Sequence, residues 1–317
     1  MERIRLRRDA SPPPTQQAAA LRDQLAGHNL VFISLDTLRA DNLSAYGYAR
    51  QTSPRIDALA DAGVLFEEAV SASHWTAPSH ATLLTGLHPE EHGVTLDSTQ
   101  MGEEIVTLAE VLTGAGYATG GFTERHLVTR LLGLHQGFTS WKEEPRDCAE
   151  GFAEAAAWMQ GQPEPFFLFA HTYQTHAPYE PPAPYDRLYA PHPLPERIAT
   201  ERMITDSARP VSEAELAALI GLYDGEIRAA DDCVGMLVDA LGERRQRTLV
   251  VLTSDHGEEF LDHGSFGHHQ LLPALLEVPL IFAHPALDAL GEPTVGSPTG
   301  AVDVVPTILD LLGVAPP

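Results

Sequence analysis

Apolar residues along this chain gather into short unbroken runs, and the most continuous of them close on polar or charged residues. NLVFISLD (29–36), FFLFAHTY (166–173) and TLVVLTSDHGE (248–258) are the clearest. An unbroken run suits a strand buried on both faces, because a half-exposed strand alternates. VPLIF (278–282) and YATGGF (117–122) read as further strands, and VLFEEAV (64–70) as a short one. Helical patterning falls between them: 54–63, opened by Ser53-Pro54 and closed by Gly63, then 78–86, 105–115, 212–241 and 302–312. Strands alternating with helices predict an α/β fold, with a mostly parallel central sheet sandwiched by helices. Ligands in such folds bind beyond the carboxyl ends of the strands. Asp36, His171, His176, Asp255 and His256 stand at or just past those ends. Residues 1–27, with Pro12-Pro13-Pro14 and a short helical piece at 17–26, read as a flexible lead-in, and 28–317 as a single domain.

Composition narrows the function. The chain has 20 basic and 44 acidic residues, a net charge of −24. Such a surface disfavours nucleic acid and anionic membranes, so an anionic ligand needs a metal or local dipoles to receive it. Only two cysteines occur, Cys148 and Cys233, with no CxxC, so neither a disulfide framework nor a structural zinc site is expected. The N-terminus MERIRLRRDASPPPTQQ lacks the apolar core of a secretory signal, and no run of about 18 apolar residues occurs. The expectation is a cytoplasmic protein with no membrane span.

Two carboxylates, Asp36 and Asp255, and one imidazole, His256, follow buried strands. That donor mixture suits Zn²⁺ or Mn²⁺, whereas Mg²⁺ or Ca²⁺ prefer oxygen alone. The plainer reading makes both aspartates helix N-caps. HWTAPSHATLLTG (74–86) sets Thr76 two residues before Pro78 at the mouth of a helix. Thr76 is either an ordinary helix start or a nucleophile, its hydroxyl activated as a metal ligand. Trp75 reads as a packing anchor, and His88 and His92 as structural or solvated histidines.

Further segments change the weighing. NLVFISLDTLRADNLSAYGY, TSPRIDALADAGVLFEEAVS, WTAPSHATLLTGLHPEEHGV, AEVLTGAGYATGGF, HAPYEPP, YDGEIRAADDCVG, TSDHGEEFLDHGSFGH, VPLIF and DVVPTILDLLGV occur in that order. In this set the chain resembles, over 29–315, the sulfatase branch of the alkaline phosphatase superfamily. The resemblance implies a single sulfatase-like catalytic domain. It implies a divalent ion (Mn, Zn, Mg or Ca, at least one per chain) bound by Asp36, Asp255 and His256, with Thr76 as nucleophile and metal contact. It places His176 near the substrate and His268 near the leaving group, and makes His126 a further site histidine. A second ion would fall to Glu258 and His263, or to HTYQTH (171–176) with Asp186.

Departures from the family redirect the chemistry. Thr76 stands where sulfatases carry the Cys or Ser that is oxidised to formylglycine, and threonine would yield a ketone in place of the aldehyde. His80 replaces the supporting arginine, Glu124 a lysine, and Thr37 a second metal-binding aspartate. His80 is then either a donor to the anion or a helix cap. The reading that follows is a metal-dependent hydrolase of a small anionic phosphate mono- or diester. Thr76 attacks phosphorus, and His176 or His268 protonates the leaving oxygen. The alternatives are a sulfuric ester hydrolase, a phosphotransferase to an alcohol and, least favoured, a non-catalytic anion-binding pseudoenzyme. Family chains continue into a smaller C-terminal sheet subdomain, which is absent from this sequence; the chain is a minimal version or a piece of a longer one.

Overall fold

The computed structural model describes residues 16–96, 100–124, 126–144, 147–204, 210–288, 291 and 293–317. Its central sheet holds eight strands. These are β1 (Asn29–Leu35), β2 (Gly63–Phe66), β3 (Ala118–Phe122), β4 (Ser140–Lys142), β5 (Phe166–Thr172), β6 (Thr248–Thr253), β7 (Leu280–Ala283) and β8 (Thr294–Val295). They lie in the order β8-β2-β7-β6-β1-β5-β3-β4. Every pairing is parallel except those of β7, which runs antiparallel between β2 and β6. The sheet is therefore mostly parallel, as the alternation of elements predicts.

The unbroken apolar runs are explained by the two faces they bury. On β1, Val31, Ile33 and Leu35 face one core, with α2 (Pro54–Asp61), α5 (Cys148–Gly161) and α6 (Glu213–Asp239). Leu30 and Phe32 face the other, with α3 (Thr76–Thr85), α4 (Leu108–Gly114) and α7 (Val304–Leu311). Successive side chains of a strand point to opposite faces, so a strand covered on both sides is apolar at most positions, and its buried Ser34 is satisfied by His80.

Several expectations change. VLFEEAV divides into β2 and a short strand, Ala69–Val70, that pairs outside the main sheet. The helix expected at 105–115 begins only at Leu108, because Thr107 and Glu110 form a capping box there. Part of the expected lead-in is docked: in α1 (Gln16–Leu25), Leu25 is fully buried, Arg22 pairs with Asp310 at 2.6 Å, and the Gly27 N–H donates to the Leu312 carbonyl. Residues 1–15 of that segment lie outside the described residues.

Cys148 and Cys233, from which no disulfide framework is expected, form a disulfide across 85 residues of sequence, because the start of α5 packs against α6 with the two Cα atoms 6.1 Å apart. Such bonds persist in oxidising compartments, so the cytoplasmic expectation draws no support from it. No helix among the described residues is long and apolar enough to cross a membrane.

Candidate active site

Asp36 follows β1, and its backbone is clamped to the neighbouring strand. Its N–H donates to the Thr172 carbonyl at 3.0 Å, and the Asp36 carbonyl accepts from the Thr175 hydroxyl. The chain then turns through Thr37 at φ 54°, so Asp36 caps no α-helix. Asp255, two residues past β6, is spoken for on one oxygen only: Oδ1 accepts from the N–H groups of Thr37 (3.2 Å) and His256 (2.9 Å). The turn after them requires glycine, since a Cβ on Gly257 would sit 2.0 Å from the Ala274 carbonyl oxygen. His256 Nδ1 lies 2.9 Å from the Gly257 carbonyl, which accepts and so leaves the Nε2 lone pair available. The N-cap reading of both aspartates gives way.

Thr76 opens α3, and its hydroxyl meets these groups. Oγ1 is 3.4 Å from Asp36 Oδ2 and 3.4 Å from His256 Nε2, which is itself 3.4 Å from Asp255 Oδ2. Donors arranged tetrahedrally about 2.0–2.2 Å from one ion stand about 3.4 Å apart. Asp36 Oδ1 and Asp255 Oδ2 are buried with no protein partner, although both carboxylates are fully enclosed. Buried carboxylate oxygens without partners are costly unless a cation answers them. The residues fit a divalent ion: Asp36, Asp255 and His256 bring ligand atoms within 4.8 Å of one another, the one such group among the described residues. Burial raises the Asp36 carboxyl, but the imidazoles of His171, His256 and His176 more than reverse this and hold it well below the usual carboxylate range.

His80 takes neither of its expected parts. It is fully buried beneath Thr76, with Nδ1 donating to the Thr76 carbonyl (2.9 Å) and Nε2 accepting from the Ser34 hydroxyl (3.0 Å). Those partners fix a neutral tautomer, and burial pushes its pKa down to about 4. It supports the first turn of α3 from within.

A cavity of about 550 Å³ opens over Thr76, walled by Trp75, Glu124, His126, Tyr173, His176, Glu226 and His268. Trp75 is thus part of the wall, its ring 5.1 Å from that of His268. His268 Nδ1 faces Glu258 Oε1 at 3.2 Å, and Glu258 also accepts from the Tyr179 hydroxyl at 2.9 Å. Burial lowers the His268 pKa, but the Glu258 carboxylate outweighs it and the net shift is upward. His176 stands 5.4 Å from His268, ring to ring, and His126 borders Tyr173 at 5.2 Å. Glu124 is anchored to the end of β5 by the Thr172 hydroxyl and the Tyr173 N–H, and burial pushes its pKa up to about 7.

Neither candidate second metal set assembles among the described residues. Glu258 is engaged by His268 and Tyr179, while His263 contributes a backbone bond to Glu259. His92, locked between Thr82 and the Val94 N–H, belongs to the core. Sequence reasoning set His171 at the strand ends and in the second-ion candidate without pairing it with Asp36, yet its Nε2 lies 3.6 Å from Asp36 Oδ2. Its place one residue before the end of β5 was the available signal.

The family model described as Sulfatase matches residues 28–314. Among curated relatives, the "Ulvan-active sulfatase" of Formosa agariphila is 27% identical, over 93% of this chain and 63% of its own length. The "Multifunctional alkaline phosphatase superfamily protein PehA" of Trinickia caryophylli is 24% identical, over 90% of this chain and 74% of its own. Among solved structures, the phosphonate monoester hydrolase of Agrobacterium radiobacter superposes with a TM-score of 0.77 at 24% identity, covering 91% of this chain and 74% of that one. That likeness shows the shared fold.

Proposed function

The chain belongs to the sulfatase family, and from that premise we propose that it is a metal-dependent ester hydrolase attacking a small phosphate ester through Thr76. The observation that carries this reading is the Thr76 hydroxyl, 3.4 Å from both Asp36 Oδ2 and His256 Nε2 at the floor of the cavity. Asp36, Asp255 and His256 would hold a divalent ion, which when bound would supply Lewis-acid stabilisation of the ester oxygens and lower the pKa of a hydroxyl beside it. The protein supplies the rest. His80 grips the Thr76 carbonyl and sets the first turn of α3, so the nucleophile keeps its direction. The Thr76 hydroxyl gives its proton to water in the cavity, and its oxygen bonds to phosphorus as the bond to the leaving oxygen breaks. His268, oriented by Glu258, gives that oxygen its proton. Water then releases phosphate from Thr76.

Threonine at this position supports phosphorus over sulfur, because it cannot become the aldehyde that formylglycine sulfatases use. The named sulfatases among its relatives favour the second reading, a sulfuric ester hydrolase. Turnover of p-nitrophenyl phosphate, phosphonate, phosphodiester and sulfate, with Mn²⁺, Zn²⁺, Mg²⁺ and Ca²⁺ in turn, separates them. Faster turnover of the sulfate ester would overturn the phosphorus reading.

A further inference from the structure

His171 is buried at the end of β5, and neither of its ring nitrogens has a protein partner. Two unsatisfied polar atoms in one enclosed imidazole demand a reason. Nε2 lies 3.6 Å from Oδ2 of the Asp36 carboxylate, whose other oxygen, Oδ1, is itself without a partner. That separation exceeds a hydrogen bond, and His171 is outside the group whose ligand atoms all fall within 4.8 Å of each other. It is therefore not one of the converging ligands, and Asp36 is the ligand it neighbours. Its ring is wedged edge to face between His80 and Tyr173, each 4.6 Å away, which fixes the direction of Nε2. The backbone of Asp36 is already tied to this strand through Thr172, so only the carboxylate is left to orient.

We propose that His171 is the positioning residue of the metal centre, its imidazole holding the Asp36 carboxylate where it can share an ion with Thr76, Asp255 and His256. The proposal rests on the metal reading of the site. It explains why a polar ring is kept where an apolar one would suit the fold better: the orphaned nitrogens are tolerated for what they do to Asp36. Affinity for the ion and stability of the ion-free protein should then respond to substitution in different ways.

The test uses His171→Phe and His171→Gln in the full chain. Affinity for Mn²⁺ and for Zn²⁺ is measured by competition with a chromophoric chelator, and melting is followed with and without each ion. His171→Phe should melt no lower than wild type without metal, bind metal about 10- to 100-fold more weakly, and show a smaller metal-induced rise in melting temperature. His171→Gln keeps an N–H at similar reach and should recover most of that affinity. Affinity for His171→Phe within twofold of wild type overturns the proposal, as does a glutamine variant no better than phenylalanine. His171→Leu serves if the phenylalanine variant does not fold; failure of both overturns the claim that the fold can spare this imidazole. A wild-type protein that binds neither ion overturns the metal reading itself, a result distinct from equal binding by wild type and variant.

Discussion

Acidification should destabilise the protein through two histidines far from the active site. His92 Nδ1 accepts from the Val94 N–H at 3.1 Å, and His284 Nδ1 from the Ala286 N–H at 3.0 Å. A proton on either nitrogen would face an N–H and break that bond. Burial, aided at His284 by His28 and Arg245, pushes each pKa down to about 4 from an ordinary 6.5. The unfolded chain binds these protons first. Their contribution to stability is thus fully present above pH 6.5 and lost as the pH falls toward 4. At pH 5 the loss is about 2 kcal/mol for each, about 4 kcal/mol together, against a typical total of 5–15 kcal/mol. The whole-protein curve is not the readout, because Glu124, Glu226 and Asp231, pushed up to about 7 by burial, pull the other way as the pH falls. The readout is a difference. His92→Asn with His284→Asn keeps an acceptor at the Nδ1 position and removes the titration. Urea unfolding at pH 7 and pH 5, with chelator present, should show the double variant losing about 4 kcal/mol less than wild type over that interval. Equal losses would refute the argument.

Three further outcomes are expected. Thr76→Ala should abolish turnover while leaving melting without metal close to wild type, and rapid-quench intact mass should find a phosphoryl adduct on wild type only. A variant that keeps its rate ends Thr76 as nucleophile. Replacing Cys148 and Cys233 by alanine should cost about 4–5 kcal/mol in urea unfolding, the loop-closure value for the 85-residue separation; an unchanged midpoint would contradict it. His268→Gln should slow alkyl esters about 10²-fold or more while p-nitrophenyl esters, whose leaving group needs no proton, lose far less. Equal loss for both classes would remove His268 as the acid.

Legibility in the sequence followed what each pattern encodes. β1, β5 and β6 were readable because a strand buried on both faces leaves an unbroken apolar run. The direction of β7 was not, since VPLIF reads alike either way, and three-residue β4 and two-residue β8 are too short to carry a pattern. Cys148–Cys233 depends on how α5 meets α6, which spacing alone does not reveal. Asp36, Asp255 and His256 stood out because polar residues closing apolar runs are conspicuous. His80 and His171 stood out too, but their surroundings did not, because what a buried histidine faces is decided by neighbours remote in sequence, Ser34 for the first and Asp36 for the second.

The substitutions around Thr76 bear jointly on the charge its substrate carries. Where sulfatases hold a cationic arginine, His80 is neutral at any pH well above about 4. Where many hold a second aspartate, Thr37 spends its hydroxyl on the Thr175 carbonyl and its N–H on Asp255. One positive and one negative group are therefore exchanged for neutral ones, and the balance at the metal position is conserved. Glu124, in place of a lysine, is not neutral in this sense: with a pKa pushed up to about 7, it is close to half ionised at neutrality and adds negative charge to the cavity wall. Glu226, pushed up to about 7 by its burial, does the same from the opposite helix, α6. A phosphate monoester dianion would meet these groups with two charges, a phosphodiester or phosphonate monoester with one, and repulsion grows with that product. The singly charged esters are the better match, so bis-p-nitrophenyl phosphate should exceed p-nitrophenyl phosphate in kcat/KM at pH 8, where both carboxylates are mostly ionised. The preference should narrow at pH 6 as they take up protons, and a monoester preference at pH 8 would show that the ion alone sets the charge the site accepts.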